Sequence, residues 1–206
     1  MNNSLHIITP LSRTEFIVDL YQSIKEASND IKIYWWIVVD NKLENKFKTI
    51  HSLFRRYEIN LNISVWFSQR KENSPGGHAH RNEILHELDS DYYDENEWLY
   101  SLDDDNILHP NFIKALKEID LTGYDVLAGD QYMKDGRLRL VADDTKMKVC
   151  HVDTASCAFR LGALRGLRYE ENDYCGDGLF VEKVHNLGKR FFYLHQPMCY
   201  YNYLRD

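Results

Sequence analysis

Short apolar runs alternate with longer amphipathic segments through the first half of this chain. The run "LHIIT" precedes a helical pattern over 13–27, "IYWWIVV" one over 43–57, "LNISVWF" one over 79–88, and "WLYSL" one over 110–119. Compact apolar runs bounded by turn residues, each followed by apolar positions at helical spacing, predict β-α-β units. The expected class is α/β, a single Rossmann-like domain with a mostly parallel central sheet flanked by helices. Open sheets of this kind bind ligands beyond the carboxyl ends of their strands. Here those ends carry "TPLSR", "DN", "SQRKENSPGG" and "DDDN". In the second half "DVLAGDQYM" and "RLRLVA" flank "KDG", a hairpin turn signal, and "KVCHVDTASCAFR" reads as further strand and loop. A helix is predicted over 176–186, closed by Gly188 and followed by the strand "RFFYL". No repeat, low-complexity stretch or linker divides the sequence, so one domain over 1–206 is expected.

Charge narrows the partners. The chain of 206 residues carries a formal net charge of -7 at pH 7 and no basic patch, which excludes a nucleic acid held through its phosphates. An anionic ligand would have to bring a cation with it. Cys150, Cys157, Cys175 and Cys199 show no CxxC spacing, and "MNNSLHIITP" enters a strand without a secretory signal, so reduced thiols in a cytoplasmic compartment are expected. No run is long enough to span a bilayer, so a lipid-linked partner would be met peripherally at the membrane surface. The basic stretch 42–48 reads as a solvated helix face.

The stretch "EWLYSLDDDNILHP" holds the candidate chemistry. Three adjacent carboxylates repel one another, and burying even one without a partner costs several kcal/mol in rough terms. A helix cap by Asp105 or Asn106 accounts for one acid only. A divalent cation accounts for the cluster, because carboxylates are hard ligands suited to Mn²⁺ or Mg²⁺, and an open site lets substrate phosphate complete the shell. His78 and His80, in "HAH", read as solvent-facing loop histidines, since zinc needs three or four converging ligands. Trp35, Trp36 and Trp66 sit in strand runs and are assigned to the core. Tyr132, Tyr174 and the tail "CYYNYLRD" are the loop aromatics offered for stacking on a ligand, and His195 is read as a strand-end residue.

The order "IITPLSR", "WWIVVDN", "GGHAHRNEIL", "WLYSLDDDN" and "GDGLFVEKV...LGKRFFYL" resembles nucleotide-sugar glycosyltransferases of the GT-A fold, family 2 and the animal glucuronyltransferases above all. The resemblance covers nearly the whole chain, and its specific motif is the aspartate one. It implies a metal-dependent transfer of a sugar from a nucleotide-sugar donor, with a UDP-sugar favoured, to a hydroxyl of a glycan, lipid-linked or protein acceptor. Residues 1–106 would form the nucleotide-binding half and 107–206 the acceptor-binding half. Asp105 would bind the metal, with Asp103 in the same shell, and Asp104 would face the ribose or the metal. Thr9 and Asp40 would contact the base, Asp40 accepting the uracil N3 proton. Arg81 and, more remotely, Arg13 would approach the diphosphate. Asp177 would be the general base of an inverting reaction, with Asp173, Glu171 and Asp153 in reserve. This chain has Gly176 before Asp177 where family 2 usually has Glu.

Rival readings fail on specific residues. A Rossmann dehydrogenase needs a GxGxxG turn, and "TPLSR" has no glycine. A sugar nucleotidyltransferase lacks its glycine-rich, arginine-containing loop here. A haloacid-dehalogenase-type phosphatase would carry its aspartates after the first strand. A non-catalytic GT-A-like domain that binds a sugar nucleotide or glycan is the non-enzyme alternative.

Overall fold

The computed structural model describes residues 4–51, 60–68, 75–90 and 92–205. The elements run β1 (Ser4–Leu11), α1 (Ile17–Ser28), β2 (Lys32–Val39), α2 (Glu44–His51), β3 (Leu61–Phe67), α3 (His78–Leu88), β4 (Trp98–Ser101), β5 (Ile107–Leu108), α4 (Pro110–Glu118), β6 (Val126–Met133), β7 (Leu138–Leu140), β8 (Cys157–Arg160), α5 (Leu161–Leu164), α6 (Gly176–Asn186) and β9 (Phe191–Tyr201). The helix expected over 43–57 is described as far as His51, and 69–74 of "SQRKENSPGG" lie outside the described residues.

One sheet takes every strand, in the order β3-β2-β1-β4-β8-β6-β9-β5, with β7 paired to β6. Strands β1, β2, β3, β4, β6 and β9 point the same way, and β5, β7 and β8 run against them. Alternating side chains serve two cores. Leu5, Ile7 and Leu11 of β1 pack with Ile17, Leu20 and Ile24 of α1 and with Phe112 and Leu116 of α4. Ile8, Trp36 and Val38 pack on the opposite face with Ile84 and Leu85 of α3 and with Phe180, Val181 and Val184 of α6. Both faces are covered, which is why "IYWWIVV" is apolar without alternation.

The punctuation is as expected at several points. Gly136 turns the β6–β7 hairpin at φ 83° and Gly188 ends α6 at φ 72°. Other details differ. Helix α4 is capped by His109, whose Nδ1 accepts from Asn111 N at 3.1 Å, so neither Asp105 nor Asn106 is the cap. Trp66 is not core: it lies on edge strand β3, 39% exposed, with its indole on Glu83. His195 sits inside β9 at φ 50° rather than at its end, and the strand continues to Tyr201. All four cysteines are free. Among the described residues no helix is long and apolar enough to cross a membrane.

Candidate active site

The carboxyl ends of β1, β2 and β4 open onto a cavity of about 530 Å³, lined among others by Ser12, Arg13, Asp40, the three aspartates, Arg139, Asp153, Tyr174, Asp177, Tyr201 and Arg205. Arginines meet the charge of the acids. Asp104 is buried, and its Oδ2 accepts from Ser12 N at 2.7 Å, Ser12 Oγ at 3.0 Å and Arg13 N at 2.8 Å. Its Oδ1 accepts from Arg13 Nε at 2.8 Å and from Nη2. These contacts fill the carboxylate's acceptor capacity. Asp104 therefore clamps the end of β1 to the end of β4 at the cavity wall.

Asp105 is also buried. Its Oδ2 lies 2.9 Å from Arg13 Nη1 and 2.5 Å from Arg205 Nε, yet accepts no well-directed hydrogen bond. Residues 202–205 fold back to bring Arg205 there: Leu204 N donates to Asp105 O at 3.0 Å and Asn202 N to Asn106 Oδ1 at 2.8 Å. Burial pushes the Asp105 carboxyl up against the pull of Arg13 and Arg205. Asp103 is the half-open member, its side chain 29% exposed and paired with Arg81. Burial pushes it to about 7 against Arg81, with Asp177, Asp153 and Asp105 adding to the rise.

Arg81 was expected near a diphosphate. It is instead 1% exposed, bonded to Gly76 O and Asp103 and 3.5 Å from Asp177 Oδ1. The glycine pair at 76 and 77, both at positive φ, starts α3 so that this side chain turns inward under Tyr169. It ties Asp103 to Asp177 rather than facing the cavity. Thr9 is likewise corrected. β1 runs on to Leu11, so the Thr9 side chain stays in the sheet, fully buried, accepting from Trp35 Nε1 at 3.0 Å. Asp40 does line the cavity, with its Oδ1 accepting from Lys42 N at 2.9 Å.

Asp177 stands in the first turn of α6. Thr154 Oγ1 donates to its Oδ1 at 3.0 Å and His78 Nδ1 lies 3.6 Å away. Burial pushes Asp177 to about 6 against Arg81, Asp153 adds to the rise, and Thr154 and Arg139 oppose it. The histidines are buried, not solvent-facing. The His78 ring is wedged between two glycines: a Cβ at Gly76 would sit 2.7 Å from it and one at Gly176 2.6 Å. Burial and then Arg81 lower its pKa to about 4, which keeps it neutral. This is the physical reason for Gly176, since a side chain there has no room.

Several site residues escaped the sequence reading. Arg205 reaches Asp105 from the tail, and Arg139 lies 3.7 Å over the Tyr201 ring while contacting Asp153 at 3.1 Å. Tyr174 is 84% exposed on the rim, whereas Tyr132 does not line the cavity. Among the described residues no three His, Cys, Asp or Glu side chains converge as a metal cage. The donor set still suits a hard cation that takes its other ligands from phosphate. Asp105 Oδ2 is an anionic oxygen with no directed donor, and Asp103 is partly open.

No protein-family model matches the chain, and no curated protein matches it significantly. Solved structures do. The crystal structure of S. aureus TarS 1-349 aligns with TM-score 0.70 at 19% identity, covering 96% of this chain and 60% of that one. TarS is a GT-A-type glycosyltransferase. This chain has the GT-A fold. TarS in complex with UDP-GlcNAc gives TM-score 0.70 at 18% identity, over 96% and 58% of the two chains. The mannosyltransferase PcManGT from Pyrobaculum calidifontis, in complex with GDP-Man and Mn2+, gives 0.64 at 12%, over 95% and 56%. The GT-A chain described here thus spans about three fifths of these neighbours' length.

Proposed function

We propose that this chain is a metal-dependent hexosyltransferase that moves a sugar from a UDP-linked donor to an acceptor hydroxyl with inversion. One observation carries the reading. A single cavity joins paired acids, guanidinium groups and a carboxylate with a pKa near 6, in a fold whose neighbours hold UDP-GlcNAc, or GDP-Man with Mn2+. Asp105 and Asp103 would hold Mn²⁺ or Mg²⁺, which supplies charge neutralisation at a diphosphate leaving group. Arg13 and Arg205 line the same wall and suit phosphate oxygens, to which guanidinium binds in bidentate fashion. Asp40 keeps Oδ2 for the N3–H of uracil. Asp177 removes the acceptor hydroxyl's proton as that oxygen attacks the anomeric carbon opposite the leaving group. With its pKa near 6 it is ionised at neutral pH and basic enough to do so.

The donor half spans 1–106 and the acceptor half 107–206. A glycan, lipid-linked or protein hydroxyl enters past Tyr174 and Tyr201, in the cytoplasm and, for a lipid-linked acceptor, at the membrane surface. The test combines a donor screen, read as Mn²⁺-dependent UDP release, with Asp177→Asn. That variant should bind UDP with Mn²⁺ normally by calorimetry while losing about 10²- to 10⁴-fold in transfer. Near-normal transfer, or retention of the donor's anomeric configuration by NMR, refutes the inverting-base reading.

A further inference from the structure

Helix α6 presents Asp177 in its first turn, behind an N-cap residue, Cys175, that makes no side-chain cap. The orientation comes from residues 154–156. This short turn is pinned to the core by Tyr100 Oη donating to Ala155 O at 2.6 Å, and is closed by Asp153, whose Oδ1 accepts from Ala155 N at 2.8 Å. It delivers Thr154, 1% exposed, to Asp177 Oδ1. Behind Thr154 stands Tyr169, also buried, whose hydroxyl lies 3.2 Å from Ser101 Oγ. The Tyr169 ring is fixed by stacking 4.0 Å from Phe180 and 5.6 Å from His78.

The direction of this contact is forced by chemistry: an ionised carboxylate only accepts, so Thr154 must donate to it. We infer that Thr154 is a positioning residue, whose hydroxyl occupies Asp177 Oδ1 and leaves Oδ2 aimed at the acceptor. The inference rests on the reading of Asp177 as the base. The other charged or titratable groups around Asp177 are Arg81 and His78 from α3, Asp153 from the turn, Arg139 from β7 and Asp103 beyond β4, and Thr154→Ala removes none of them.

The experiment is a ¹³C NMR titration of aspartate carboxyl carbons in the free protein, with the Asp177 signal assigned by its loss in Asp177→Asn. Removing a donor from the ionised form raises the pKa. Thr154→Ala should therefore move the Asp177 midpoint up by about half to one pH unit. Thr154→Ser should restore it, a rescue that bulk packing would not give. Tyr169→Phe keeps the stacked ring and removes no donor to Asp177, so it should leave the midpoint in place. A midpoint unmoved by Thr154→Ala overturns the positioning role even if Asp177→Asn abolishes transfer. Full transfer by Asp177→Asn overturns the base reading, and the positioning role with it, whatever the titration shows.

Discussion

Asp104→Asn separates the structural member of the acid triplet from the others. The substitution keeps the side chain's shape and removes the charge from a carboxylate whose contacts all come from Ser12 and Arg13. An amide has one acceptor oxygen and one donor group. Either its NH₂ faces Ser12 N, Ser12 Oγ and Arg13 N, or it faces Arg13 Nε and Nη2, so donors oppose donors in both orientations. Removing one partner of a buried ion pair costs about 3–5 kcal/mol. Arg13 is 27% exposed and can be partly rehydrated, which places the loss near the lower end, about 3 kcal/mol. With a urea m-value of about 2–3 kcal/mol/M, the midpoint should fall by about 1–1.5 M. Urea unfolding followed by circular dichroism and tryptophan fluorescence, with equal slopes for the two proteins, measures it. A midpoint within about 0.3 M of wild type would refute the clamp, since that is under about 1 kcal/mol.

Asp105→Asn should abolish Mn²⁺-dependent binding of UDP in calorimetry, and unchanged affinity would remove Asp105 from the metal site. Gly176→Ala should lower stability by about 1–3 kcal/mol, seen as a fall in Tm, because its Cβ would sit 2.6 Å from His78 Cδ2 and 2.8 Å from Glu170 O. Transfer should fall about tenfold per pH unit below about pH 6, since Asp177 must be ionised to act and its pKa is raised to about 6. A turnover flat down to about pH 4.5 would contradict that assignment.

The skeleton was legible because it is local. Apolar runs and helical spacing marked β1 to β4, Gly188 closed α6, and "KDG" turned the hairpin at Gly136. Edge position was not legible, which is why the apolar run containing Trp66 gave no warning that its indole is exposed. Within the site, three identical letters took three environments. Which oxygen meets which guanidinium depends on Arg13 and Arg205, each about a hundred residues from the acids or bound to them by the returning tail. Polar letters also concealed burial: the histidines of "GGHAHR" read as solvent-facing, yet His78 is inside, because two glycines 100 positions apart leave a slot for its imidazole ring, and Arg81 is buried beside it. Thr9 was misplaced by the length of β1, since a strand that continues to Leu11 keeps the threonine within the sheet.

The order of strands governs when this architecture can close during synthesis. β4 lies between β1 and β8, and its second neighbour, Cys157–Arg160, is translated long after it. A nascent chain that has just completed β4 presents an open edge beside its three acids, with Arg205 still to be made. Unpaired edges template wrong pairings, and contacts distant in sequence form slowly because their loop entropy is lost first. The acid-bearing end of the sheet is therefore the last part to assemble, and the interval between β4 and β8 is when the chain is most exposed to aggregation.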